Sequence, residues 1–136
     1  MDEREIELFN DSLERCQSHA EFLTRFYEIF IASDRAVAEK FTHTDLRRQQ
    51  LALKTSLFLL LEASGRNPPR ESIAHLERIA ERHGRRDLDI KPGMYALWLD
   101  SMLQAVREFD PRFDERTERA WRGVLARGIE VMQSRY

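Results

Sequence analysis

RESIAHLERIAERHGRRDLDIKPGMY, residues 70–95, is the stretch on which the reading of the whole chain turns. Its apolar positions Ile73, Leu76, Ile79 and Ala80 recur at three and four, the period of a helix with one buried face, from about Arg70 to His83. Gly84 is placed to end that helix. Lys91-Pro92 opens the next, because proline lacks only an amide that a first helical turn leaves unused. His83 lies seven residues after Leu76 and three or four after Ala80 and Ile79, so its imidazole shares the inner stripe. A buried imidazole needs partners, and two arrangements supply them. One is a core histidine satisfied by a backbone carbonyl; the other is a metal ligand whose second ring nitrogen such a carbonyl fixes. Position alone leaves both open.

The same helical period extends in both directions. Ile6, Phe9 and Leu13 mark a helix from about Asp2 to Gln17, and Phe22, Leu23, Phe26, Tyr27, Phe30 and Ile31 mark one from about Ala20 to Ala32. Ser33 and Asp34 cap a short helix that buries Val37, Ala38 and Phe41. Thr44 and Asp45 cap a long one to about Ala63, which stops at Ser64-Gly65 before the loop Arg66-Asn67-Pro68-Pro69. Beyond Pro92 the inner face is Tyr95, Trp98, Leu99, Met102, Leu103 and Val106, as far as about Phe109. The last helix, from about Asp114 to Ser134, carries Trp121, Val124, Leu125, Gly128, Ile129 and Met132 on one stripe. No repeat, low-complexity tract or heptad pattern interrupts this series, so the expected class is all-α, neither coiled coil nor solenoid.

Composition narrows the function classes. A chain of 136 residues fits one domain, 1–136, and buries roughly two-thirds of its unfolded surface, enough for a core with a cavity inside. The net charge of -2 comes from charges of both signs spread along every segment, with no basic run to track a phosphate backbone, so no nucleic-acid partner is expected. One cysteine, Cys16, allows no internal disulfide, and MDEREIELF lacks the layout of a secretory signal, which together point to the cytoplasm. The longest apolar run, Leu57 to Leu61, is far below the roughly twenty residues that span a bilayer, so no membrane role is expected. The histidine and cysteine spacings match no zinc or iron–sulfur motif.

Three segments carry a family resemblance. RFYEIFIASDRAVAEKF, residues 25–41, resembles the second and third helices of bacterial haemoglobins, in which a Phe-Tyr pair is followed, fourteen residues after the Tyr, by the Phe that packs on the haem; here these are Tyr27 and Phe41. LERIAERHGRRDLDIKPGMY resembles the proximal-histidine segment of single-domain bacterial haemoglobins and flavohaemoglobins, with His83 in the proximal place and Ile90-Lys91-Pro92 and Tyr95 after it. The connector is about two residues longer here. AWRGVLARGIEVM, residues 120–132, extends the likeness to the last helix. The resemblance implies a globin fold of about six to eight helices around a haem pocket, haem b (iron protoporphyrin IX) as cofactor, and His83 as the iron ligand.

It also implies a site around that iron. Phe41 would wedge the ring, and Tyr27 would offer its hydroxyl to a bound gas, a charge-assisted hydrogen bond worth about 1.5–3 kcal/mol. An alternative for Tyr27 is a core tyrosine whose hydroxyl is satisfied elsewhere. Ten residues on from Phe41 lies Leu51, with Gln50 one step away; either faces the iron depending on register, and Thr55 shares the wall with Leu51. Lys54 is expected to snorkel toward a haem propionate, with ligation of the iron as its alternative, and Arg85 and Arg86 are further propionate candidates. His75, His19 and His43 are weaker ligand candidates. Tyr95 is similar to a tyrosine with which flavohaemoglobins tune the proximal histidine. The acidic residue that works with it has no counterpart, and Glu130 substitutes only under a different packing of the helices.

The leading expectation is reversible binding of O₂, with NO and CO as alternative diatomic ligands, for storage, transport or sensing. A second is NO dioxygenation, which needs a separate reductase because no dinucleotide-binding glycine fingerprint is present. A third is a non-enzymatic globin-like signalling module, acting through a homodimer or partner surface on the last two helices.

Overall fold

The computed structural model describes residues 2–136, which form seven α-helices and no strand. They are α1 (Glu3–Gln17), α2 (Phe22–Ser33), α3 (Arg35–Lys40), α4 (Leu46–Ala63), α5 (Arg70–His83), α6 (Met94–Phe109) and α7 (Glu115–Ser134). Four start at an aspartate whose carboxylate accepts the orphan amides of the first turn. Asp2 takes Arg4 N–H, Asp34 takes Ala36, Asp45 takes Arg47 and Arg48, and Asp114 takes Thr117. These boundaries fall within two residues of the expected ones. The exception is α6, which begins at Met94 because Lys91 to Gly93 form a separate turn ahead of it, closed by Met94 N–H to Lys91 O at 2.9 Å.

Packing is crossed rather than layered. α2 lies on α6, α1 on α7, and α5 on both α4 and α7. At the α1–α7 end the core is dense: Phe9 meets Trp121 edge-on with ring centroids 4.6 Å apart, and Leu13, Phe22, Met102, Leu103, Val124 and Leu125 are fully buried around them. A polar staple fixes the same end. The buried Asp110 carboxylate accepts from Ser12 Oγ at 2.6 Å, from Arg15 Nε at 2.6 Å and from the Arg112 amide at 2.9 Å, while Trp121 Nε1 donates to Ser12 Oγ at 2.9 Å. Burial alone would raise the Asp110 pKa, but these donors outweigh it and hold the carboxyl below its ordinary range.

Gly84 ends α5 as expected, for a different reason. Its φ of -72° is open to any residue, but a Cβ there would stand 2.9 Å from the Arg135 carbonyl. The residue with left-handed backbone is Asp89, at φ 52°, a conformation that aspartate tolerates better than most. No helix of the described residues is long and apolar enough to cross a membrane.

Candidate haem pocket

Away from the Trp121 end, the helices leave a cavity of about 490 Å³ walled by parts of α2 to α7. Pockets that enclose a small molecule or cofactor have roughly 300–1,000 Å³. The walls are largely apolar. α2 contributes Tyr27 and Phe30, α3 Val37 and Lys40, α5 Leu76 and Ile79, α6 Met94, Tyr95 and Trp98, and α7 Leu125, Gly128, Ile129 and Met132. Lining residues that are also solvent-exposed, among them Lys40, Thr55, His75, Arg82 and Leu88, mark the mouth.

His83, the last residue of α5, lines this cavity. Its Nδ1 is 2.7 Å from the carbonyl oxygen of Ile79, one turn earlier. A carbonyl only accepts, so Nδ1 carries a proton, and in the neutral ring the lone pair is on Nε2, which has no protein hydrogen-bond partner among the described residues. The structure shows the first reading of His83, a carbonyl-satisfied imidazole, and the same bond is the one the second reading calls for. The carbonyl satisfies one nitrogen and leaves the other as a free donor atom at an apolar cavity, the arrangement that an imidazole ligand to iron requires. No group of three or more His, Cys, Asp or Glu side chains among the described residues could hold a bare metal ion.

Tyr27 is 4% exposed, and burial pushes its hydroxyl up to about 12. That hydroxyl lies 3.5 Å from the Gln49 carbonyl oxygen, at the limit of a hydrogen bond. Phe41 also lines the cavity and packs edge-on against both Tyr27 and Phe30, at centroid distances of 5.6 and 5.8 Å. Tyr95, half-buried in the wall, is likewise pushed up to about 12 by burial.

On α4 the register differs from both alternatives read in the sequence. The stripe that faces the cavity is Gln49, Ala52, Leu53, Ser56 and Leu60, with Thr55 at its edge. Leu51 is 65% exposed and lies outside the lining, and Gln50 turns toward Thr24, whose hydroxyl is 3.4 Å from its side-chain oxygen. The reason is the corner at residues 41–45. Its turns break the helical phase between α3 and α4, so a residue count from Phe41 does not carry orientation across it.

The cations are also redistributed. Lys54 is exposed on α4 outside the lining, Arg86 is exposed in the loop beyond α5, and Arg85 lies over the Tyr136 ring, 4.9 Å from its centroid. Lys40 and Arg82 stand at the mouth instead, with His75 on the same side of α5. Their signal was readable in part. His75 and Arg82 sit eight residues and one residue before His83, but Lys40 approaches the loop from α3, through a contact that no local spacing shows. No aspartate or glutamate, Glu130 included, is among the lining residues.

No protein-family model and no curated protein matches the chain. A solved structure does. It is protein PA3967 from Pseudomonas aeruginosa PAO1, described as structurally highly homologous to a human haemoglobin; the two chains are 35% identical, superpose with a TM-score of 0.89, and match over 97% of this chain and 98% of that one. A likeness of that extent in both sequence and structure places this chain in the family of bacterial haemoglobin-like globins.

Proposed function

We propose that the chain holds haem b in this cavity with His83 as the iron ligand. In this reading it binds O₂ reversibly, with NO and CO as competing ligands, for storage, transport or sensing in the cytoplasm. The observation that carries the reading is the His83–Ile79 hydrogen bond, which fixes the ring and leaves Nε2 without a protein partner among the described residues, in a side chain that lines the cavity. Bound haem supplies an iron with a coordination position open to a diatomic gas.

The chain's own residues do the rest. Leu76, Ile79, Met94, Trp98 and Ile129 keep water from the ring faces, and Phe41 offers an aromatic surface braced by Tyr27 and Phe30. Arg82, rather than Lys54 and Arg86, is the cation placed to meet a carboxylate at the mouth. Tyr27 keeps its proton far above neutral pH, and its long contact with Gln49 O costs little to exchange, so it serves as the donor to a gas ligand. The neutral Ile79 carbonyl on His83 Nδ1, in the place where a carboxylate would increase electron donation, favours reversible binding over NO dioxygenation with a separate reductase.

The test is His83→Gly. The wild-type chain loaded with haem should show a Soret band that shifts when the ferrous form meets CO. His83→Gly should lose stable haem, and added imidazole should restore it. A variant that keeps haem without imidazole, at unchanged band position, overturns the assignment. Rapid NO consumption by wild type with a supplied reductant would replace carriage by catalysis.

A further inference from the structure

The loop that leaves His83 is folded back on α5 by three backbone bonds: Leu88 N–H to Arg82 O at 3.0 Å, Asp89 N–H to Gly84 O at 2.8 Å, and Ile90 N–H to His83 O at 2.8 Å. Leu88 and Ile90 line the cavity, yet Leu88 is 41% exposed, so this loop is one lip of the mouth and has little core of its own. Two side chains from distant elements hold it. From the end of α3, Lys40 Nζ donates to Leu88 O at 2.8 Å, which ties the opposite lip to this one. From beyond α7, the Tyr136 hydroxyl donates to Asp89 Oδ1 at 2.6 Å. Tyr136 is itself seated there, since its ring lies under the Arg85 guanidinium and its carbonyl oxygen accepts the Arg85 amide at 3.4 Å. The preceding residue, Arg135, pairs with Glu77 and Glu81 on α5.

We propose that residues 84–90 are a gate on the cavity, with Lys40 and Tyr136 as its two latches, and that opening of this gate sets the rate at which haem is taken up and lost. The proposal rests on the haem-binding reading above. Segments with few buried apolar side chains and exposed hydrogen bonds open locally at far lower cost than the whole fold. The rest of α5 is anchored by the buried Leu76 and Ala80, so the helix bearing His83 stays in place while the loop beyond it swings. The two latches bond adjacent residues of the loop, Leu88 and Asp89, so each loss lowers the cost of opening and the two act in the same direction.

The experiment compares Lys40→Met, Tyr136→Phe and the double variant, each in the full chain. Amide hydrogen exchange at Leu88, Asp89 and Ile90 is read without haem, and transfer of haem to excess apomyoglobin is read after loading. Each single variant should raise both rates about fivefold and the double variant more than either, with the Soret position unchanged. Unchanged exchange in both single variants overturns the latches. Raised exchange with unchanged haem transfer overturns the gate while leaving haem binding intact. A wild-type chain that takes up no haem overturns the functional reading, and the gate with it.

Discussion

The end of the molecule around Trp121 and the end around His83 are built from the same kinds of residue at the same helical spacing, yet one is solid and the other hollow. Around Trp121 the buried polar side chains of the staple pair with one another, and Gln17 Nε2 at the end of α1 is the buried polar atom left without a partner among the described residues. Ser12, Arg15, Asp110 and the indole N–H close on one another, and the surrounding side chains are fully buried. Around His83 the polar atoms are only half satisfied: one imidazole nitrogen is bonded, and the Tyr27 hydroxyl sits at the limit of its contact. Buried polar groups left with capacity to spare are costly in a core and useful in a binding site. The two ends therefore divide stability from recognition, and substitutions should divide the same way. The largest effect belongs to Trp121→Ala, which should cost about 3–5 kcal/mol of unfolding free energy in a urea titration. A loss below about 1 kcal/mol would mean that the solid end is not where the fold is held.

Asp110 gives the next largest effect, and its sign follows from its lowered pKa. A carboxyl whose folded pKa lies below its unfolded value near 3.9 contributes its full stability above that value and loses it as pH falls through the folded one. The wild-type urea midpoint should therefore drop in the acid range below about pH 4, where Asp110→Asn should show a shallower fall. At neutral pH Asp110→Asn should be weaker by about 1.5–3 kcal/mol, because Arg15 loses its charged acceptor. Equal acid sensitivity of the two proteins would assign the acid transition to other carboxylates. Haem uptake by the variant should be unchanged, since the staple lies outside the cavity lining.

Local chemistry was legible in the sequence and long-range geometry was not. Asp34 and Asp45 showed themselves as caps because capping is decided within three residues. His83, Tyr27, Phe41 and Tyr95 all reach the cavity because each sits on a stripe readable from its own segment, whereas Thr55 reaches its edge without the Leu51 neighbour on which its expectation rested. Asp110 gave no such signal, since its partners lie 95 and 98 residues away in α1. Gly128 read only as one small residue on a stripe, whereas in the fold a Cβ there would fall 2.4 Å from Leu60 Cδ2, where α4 and α7 cross behind the cavity. Gly128→Ala tests whether the hollow end gives way where the solid end would not. Leu60 lines the cavity and has room to turn into it, so the expected cost is about 1 kcal/mol by urea titration, with haem affinity reduced as the cavity fills. A cost of 3 kcal/mol or more would show the α4–α7 crossing to be as unyielding as the Trp121 core.

The smallest expected effect is the sharpest test of how α4 faces the pocket. Counting across the corner at residues 41–45 put Leu51 or Gln50 toward the iron, whereas the helix begun by the Asp45 cap turns Gln49, Ala52 and Leu53 inward and leaves Leu51 in solvent. Leu51→Ser should then change stability by less than about 0.5 kcal/mol, as exposed substitutions away from caps and cores do, and leave the haem spectrum and gas dissociation rate as they were. Leu53→Ser, two residues on, removes a buried apolar wall and should alter both stability and gas dissociation. The orientation of a helix repeats every 3.6 residues, so a shift of two residues reverses a face, and no register satisfies both results except the one with Leu53 inside. Should Leu51→Ser speed gas release while Leu53→Ser does not, α4 is rotated by about half a turn from its present position, and the distal wall of the pocket must be rebuilt around Leu51.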